Sequence, residues 1–247
     1  MKIGVFKFSS CDGCQLAFFD LEEELLKLSE IFSVEYFLEA TSSNRWSSFD
    51  IAFVEGSVSS PEEEEKIKKI RESSRVLIAI GACAVSGGIQ SARNFQDFSR
   101  VYSSVYQQHY DLNPLSRPLS DFVKVDYEIR GCPINKESLK EVITALLYGR
   151  LPQLPMHPLC LECKRKGNPC VVVAYRTPCL GPITVAGCGA LCPTFKRGCY
   201  GCYGPVENPS LEALAEGYER LEMDKKRLRE ALKVSFNGYN KNIREWL

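Results

Sequence analysis

Along the first 150 residues, short apolar runs alternate with segments whose apolar residues recur at helical spacing. Lys2 to Phe8 reads as a strand. Leu16 to Phe32 carries Leu21, Leu25 and Leu28 at helix period, with Glu22 to Glu24 on the polar face. Val34 to Leu38 and Asp50 to Val54 are further strand candidates. Ser60-Pro61-Glu62 opens a helix through Ser73: a capping hydroxyl, a proline in the first turn and acids at the positive end of the dipole. Only Ile67 and Ile70 in that helix look like core contacts. Val76 to Ile80 is apolar throughout, as a strand covered on both faces should be. Val125 to Ile129 gives a fifth strand and Lys136 to Tyr148 a closing helix. Repeated strand–helix units predict an α/β fold with a mostly parallel sheet and helices on both faces. Ser91 to Asp121, rich in Tyr and Ser, interrupts the pattern and reads as a long, partly helical surface excursion.

After Gly149 the pattern changes. Leu151 to Pro158 is a proline-rich linker, so the chain divides into a first domain over 1–150 and a second over 151–247. Residues 160–205 are dense in cysteine and glycine and nearly aperiodic, and such a segment buries too little apolar surface to order itself without metal or covalent links. From Ser210 to about Leu232 one amphipathic helix is expected, with Leu211, Leu214, Tyr218, Leu221 and Leu228 along one side.

Composition narrows the function. Lys plus Arg and Asp plus Glu number 31 each, so no basic excess marks a nucleic-acid binder. No apolar run is long enough for a membrane span, and the N-terminus shows neither a secretory nor a twin-arginine leader, so a soluble, cytoplasmic protein is expected. The 12 cysteines then need explaining, because a reducing cytosol disfavours a disulfide scaffold. Metal or cluster ligation is the better default.

Cys11 and Cys14 form a Cys-x2-Cys pair just past the first strand; Cys83 and Cys132 follow the strands ending at Ile80 and Ile129. In an open parallel sheet the carboxyl ends share one edge, so these four thiols should converge there. Gly13, Gly81, Gly87, Gly88 and Gly131 let the backbone come close. The pair by itself would also suit zinc or thioredoxin-like chemistry, but the latter leaves ten cysteines unused. The other eight, Cys160, Cys163, Cys170, Cys179, Cys188, Cys192, Cys199 and Cys202, match two four-cysteine clusters, with two structural zinc sites as the rival. Spacing leaves both a sequential and a crossed partition open. His109 and His157 stand outside the cysteine motifs and read as surface residues.

Cys11-Asp12-Gly13-Cys14, Glu55-Gly56-Ser57, Gly81-Ala82-Cys83-Ala84 and Gly131-Cys132-Pro133 together resemble the signature of the small subunits of nickel–iron hydrogenases. Leu159-Cys160-Leu161-Glu162-Cys163, Gly167-Asn168-Pro169-Cys170, Pro178-Cys179-Leu180-Gly181-Pro182-Ile183-Thr184 and Gly187-Cys188-Gly189-Ala190-Leu191-Cys192-Pro193 resemble the cytoplasmic type, the delta subunits of archaeal sulfhydrogenases and the deazaflavin-reducing enzymes. A related quinone-reductase subunit has two adjacent cysteines in place of Cys-x2-Cys. The resemblance implies a flavodoxin-like first domain and a proximal 4Fe-4S cluster on Cys11, Cys14, Cys83 and Cys132. It implies three 4Fe-4S clusters in all, ligated by cysteine alone. It further implies a catalytic nickel–iron large subunit as partner, a flavin and iron–sulfur subunit that reduces NAD(P), a further iron–sulfur subunit, and polysulfide reduction as an added activity. Glu55 would flank the proximal cluster and hold a proton there, although a glutamate at a strand end reads the same way. Arg93, Tyr102 and Tyr106 would face the large subunit, or simply occupy an exposed loop. A redox module serving another enzyme, or a zinc-stabilised interaction protein, are the competing functions.

Overall fold

A computed structural model describes residues 1–23 and 31–236. They divide into two compact units, Met1–Lys140 and Glu141–Leu247.

The first unit is built on a five-stranded, wholly parallel sheet: β1 (Lys2–Lys7), β2 (Ser33–Phe37), β3 (Phe49–Glu55), β4 (Ser74–Ile80) and β5 (Tyr127–Ile129), in the order β2-β1-β3-β4-β5. All five expected strands form, shifted by a residue or two at their ends. Phe53, Ile51, Leu77, Ile78 and Ile80 are fully buried, which is why the central strands read as unbroken apolar runs. At the outer edge Phe6 stacks on Tyr36 at 4.7 Å and meets Phe49 edge-on at 5.2 Å.

Register fixes the sheet's upper edge. Lys7 pairs with Glu55, Glu55 with Ile80, and Ile80 with Ile129. Four strands therefore end on one row, and every turn carrying a cysteine of this unit starts from it.

Helix α1 spans Gly13–Phe19, and Phe18 packs edge-on against Phe37 and Phe53 at 5.8 and 5.2 Å. The expected helix beginning at Leu16 thus begins three residues earlier, for a reason the local sequence does not contain (below). Leu16 is exposed rather than core-facing, Leu21 is buried, and Leu25 and Leu28 lie outside the described residues. Helix α2 (Pro61–Ser73) follows expectation: Ser60 caps it by accepting the Glu63 amide at 3.2 Å, and Ile67 and Ile70 are fully buried.

The excursion's return leg is less superficial than its composition suggests. After α3 (Gly81–Ser86) come a 3-10 stretch (Ile89–Phe95) and α4 (Phe98–Val105), then a return leg stitched down through Ser116. The Ser116 hydroxyl donates to Ser57 Oγ at 2.8 Å, the Arg117 amide donates to the Val58 carbonyl at 3.0 Å, and the Asn113 amide to the Ser59 carbonyl at 2.8 Å. Polar residues are buried here because they are paired. Helix α5 (Lys136–Leu147) buries Leu139, Val142 and Ile143.

In the second unit, short helices α6 (Leu159–Arg165), α7 (Val171–Tyr175) and α8 (Leu191–Thr194) alternate with turns. The expected single tail helix is two, α9 (Leu211–Arg220) and α10 (Lys225–Phe236). They separate where Glu222 adopts φ 55° and the Asp224 carboxylate accepts the Lys226 amide at 2.8 Å. Leu211, Leu214, Ala215, Tyr218, Leu228 and Leu232 pack with Leu180 and Ile183, while Leu221 is only half-buried. The cysteine-rich segment thus has an apolar floor supplied from the tail, besides whatever its thiols hold.

Asp126 ties β5 to β4: Oδ2 accepts the Leu77 amide at 2.9 Å and Arg71 Nη1 at 2.6 Å. Burial alone would raise its carboxyl, but those hydrogen bonds and the charges of Arg71 and Lys124 hold it below its usual range. Asp126→Asn is expected to cost about 1–2 kcal/mol at neutral pH, since one hydrogen-bonded charge is lost. A depressed folded-state value means this stability is fully present above the unfolded carboxylate range, near pH 4, and is lost as pH falls through the folded value. Urea unfolding of the two proteins at pH 7 and below pH 4 should show the gap closing.

Candidate metal centres

Cys11 and Cys14 leave β1, Cys83 sits in α3 directly after β4, and Cys132 follows β5. Their thiols act on one another: Cys83 and Cys132 raise the pKa of Cys14, and Cys132 and Cys11 raise that of Cys83. Burial is the larger cause at both, followed by Glu55 at Cys14; the Cys83 thiol is pushed up to about 12 and Cys14 is strongly raised. The expected convergence of these four residues is therefore a feature of the fold.

Glu55 supplies what local sequence hides. It is 1% exposed, and its two oxygens accept the amides of Cys14 at 3.1 Å and Gln15 at 3.2 Å. Asp12, the residue before α1, has φ 66° and its side chain is turned away to Lys7, Ser10 and Gln15 Nε2. A carboxylate from β3 thus caps a helix 40 residues earlier, letting it start at Gly13 and fixing Cys14 over the sheet edge. Burial raises the Glu55 pKa against these hydrogen bonds.

Two glycines make room. Gly81 has φ +84°, and a Cβ there would lie 2.3 Å from Cys14 Sγ; at Gly88, φ +61°, it would lie 2.5 Å from Cys83 Sγ. The Ala82 amide donates to the Gly131 carbonyl at 2.7 Å, joining the Cys83 and Cys132 turns.

In the second unit, too, the thiols act on one another. Cys179, Cys163 and Cys170 raise the pKa of Cys160, which burial first pushes up to about 11. Cys192 acts on Cys188, and Cys202 on Cys199. Cys199 also meets the earlier cysteines: its amide donates to Cys179 Sγ at 3.1 Å, and Cys179 acts on it more strongly than Cys202 does. The Gly201 amide donates to Cys199 Sγ at 3.3 Å. Tyr218, from α9, holds the Cys179 peptide on both sides: its hydroxyl accepts the Cys179 amide at 2.6 Å and donates to the Cys179 carbonyl at 2.8 Å. Sequence reading placed Tyr218 on an apolar stripe, and nothing local marks its hydroxyl. Glu162 was likewise only part of a motif; its carboxylate reaches the amides of Gly187 and Ala190.

The remaining candidates lie elsewhere. Arg93 donates to the Asn113 carbonyl at 2.9 Å and lies over Phe98; the Tyr102 and Tyr106 rings meet at a tilt, 5.0 Å apart. His109 lies beside Tyr102 and His157 beside the Pro158 carbonyl. Among the described residues, no three His, Cys, Asp or Glu side chains form a single-ion site, and no helix is long and apolar enough to cross a membrane.

Thiols crowded together and partly buried, with backbone amides donating to the sulfurs of Cys179 and Cys199, fit iron–sulfur ligation. Residues 11–146, which include the four cysteines of the first unit, match the family model described as the 20 kDa subunit of NADH ubiquinone oxidoreductase. Subunit delta of sulfhydrogenase 2 from Pyrococcus furiosus is 38% identical over 218 residues, 87% of this chain and 91% of the relative. Among solved structures, an NAD+-reducing [NiFe]-hydrogenase in the H2-reduced state is 30% identical with a TM-score of 0.59, over 63% of this chain and 95% of that one. An actinobacterial-type NiFe-hydrogenase from Ralstonia eutropha H16 shares the fold at 15% identity, with a TM-score of 0.63 over 94% of this chain and 89% of that one. The chain belongs to the 20 kDa-subunit family and, within it, to the small subunits of nickel–iron hydrogenases. It is an iron–sulfur, electron-transfer subunit of an oxidoreductase whose nickel–iron site lies on a partner large subunit.

Gly81→Ala is expected to destabilise the chain by about 2–4 kcal/mol, combining a left-handed backbone with a clash at Cys14. Gly13→Ala, whose Cβ would meet Cys11 Sγ at 3.4 Å, should cost far less. Denaturant titration of both variants measures the difference.

Proposed function

We propose that this chain carries three 4Fe-4S clusters between the large subunit and a flavin-containing partner of a cytoplasmic hydrogenase. Cys11, Cys14, Cys83 and Cys132 hold the proximal cluster; Cys160, Cys163, Cys170 and Cys179 hold a second, and Cys188, Cys192, Cys199 and Cys202 a third. The observation that carries the reading is the single row Lys7, Glu55, Ile80 and Ile129, from which all four proximal thiols emerge. The strand order β2-β1-β3-β4-β5 is that of flavodoxin-like sheets, whose ligands sit at the carboxyl edge, and supports a flavodoxin-like domain over 1–150 with helices on both faces. Residues 151–247 form the two-cluster domain with its helical tail. The sequential partition is supported by the mutual action of the first four thiols of that domain.

Clusters of this kind accept and give up single electrons, with potentials set by charge, burial and hydrogen bonds to sulfur. The chain's residues fix those conditions. Glu55 orients the Cys14 turn, Gly81 and Gly88 let backbone approach sulfur, and Tyr218 locks Cys179. Electrons released by hydrogen oxidation on the large subunit enter at the proximal quartet and leave toward a flavin and iron–sulfur partner that reduces NAD(P), with polysulfide as a further acceptor. The names of the similar proteins, an NAD+-reducing hydrogenase and a sulfhydrogenase, support this assignment.

An anaerobically purified complex should be brown, and this subunit should account for about twelve iron and twelve sulfide per chain. A colourless chain carrying zinc would overturn the reading. Cys14→Ser should abolish most hydrogen-driven reduction of the external acceptor while leaving paramagnetic signals of the other two clusters; unchanged turnover would remove the proximal assignment.

A further inference from the structure

Glu162 stands between Cys160 and Cys163, in the first turn of α6. An acid there ordinarily serves the free amides of its own helix. This one does not. Its Oε1 accepts the Gly187 amide at 3.0 Å and its Oε2 the Ala190 amide at 3.1 Å, across 25 and 28 residues of sequence. Those two amides flank Cys188, and Ala190 is fully buried with φ 52°, a conformation that needs outside support in a non-glycine residue.

The two loops also meet at a second point. Asn168 Nδ2 donates to Thr194 Oγ1 at 3.1 Å, and that hydroxyl donates to the Ala190 carbonyl at 3.0 Å. Ala190 is therefore held at its amide by Glu162 and at its carbonyl through Thr194. Only the Glu162 contact carries a charge, and that charge acts on the Cys188 thiol. Cationic neighbours are close, since a Cβ at Gly189 would lie 3.6 Å from Lys166 Nζ.

We propose that Glu162 is a positioning residue for the last quartet: it pins the Cys188–Cys192 turn to the helix of the preceding quartet, and its negative charge lowers the reduction potential of the cluster held by that turn. The proposal deepens the three-cluster reading and rests on it. Reduction adds one negative charge to a site already facing a carboxylate, so the fixed charge opposes it. Partial exposure of Glu162 screens the effect without abolishing it. The same carboxylate offers a separate oxygen to each of the two donors, which a neutral amide cannot do, because one of its two ends is itself a donor.

The test is a redox titration of the anaerobic hydrogenase complex followed by electron paramagnetic resonance, comparing wild type with Glu162→Gln and Glu162→Asp, alongside iron and sulfide analysis. Glu162→Gln is expected to raise the midpoint of the cluster held by the Cys188–Cys192 turn, shifting its oxidised-to-reduced ratio by about tenfold, which is 59 mV for one electron; the cluster on Cys160 and Cys163 shifts in the same direction, while the proximal cluster stays at its wild-type value. Glu162→Asp keeps the charge and should restore most of the wild-type midpoint, an outcome a merely structural role would not produce. Full iron content with every midpoint unchanged in Glu162→Gln overturns the proposal while leaving the three-cluster reading intact. Wild-type protein without iron sinks both. Should Glu162→Gln fail to load, hydrogen exchange on the wild-type complex decides: protected Gly187 and Ala190 amides support the pinning, and exchange at open-loop rates refutes it.

Discussion

Thiols brought together in a protein interior resist ionisation twice over: burial withholds the water that would solvate the thiolate, and each neighbouring sulfur repels the next. Both effects are visible at Cys14, Cys83, Cys160 and Cys199, all of which are strongly raised. A fold that crowds thiols in this way suits a cation-rich cofactor that binds the deprotonated form. Much of the surrounding architecture then serves to hold the sulfur positions before that cofactor arrives. Register sets the row, glycines at positive φ clear the space, and buried carboxylates fasten the turns.

The sheet was readable because the strands that bury both faces have no polar positions to confuse the period, as in β3 and β4. From strands alone the convergence of Cys11, Cys14, Cys83 and Cys132 also followed, since a parallel sheet has one carboxyl edge. The start of α1 was not readable. Its free amides are met by Glu55 from another strand, and no window around residues 11–19 contains that partner. The excursion is mostly exposed and partly helical, as its composition suggests, but its return leg is not: serine looks solvent-loving in a sequence, yet Ser116 is buried where Ser57 and Ser59 satisfy it.

In the second unit periodicity failed because the helices are too short to show it; α7 has five residues and α8 four. The cysteine spacing leads to the reading of two quartets, but not to which thiols face each other, since that depends on the turns at Gly187 and Ala190. The tail reads as one helix by its leucines and is two because Glu222 and Asp224 divide it. Tyr218 and Glu162 share a lesson: each sat in a pattern with a sufficient local explanation, an apolar stripe and a cysteine motif, and each has its decisive partner far along the chain.

The bond between the Cys179 peptide and Tyr218 spans 39 residues. During synthesis that peptide remains without its hydroxyl partner until the ribosome has made α9. The four cysteines of the first unit all precede the second unit's tail in the chain, so they can leave the ribosome and collect before α9 does. Vectorial growth therefore imposes an order on maturation: the sheet-edge site can be readied first, and the lobe containing Cys179 closes later, once α9 exists.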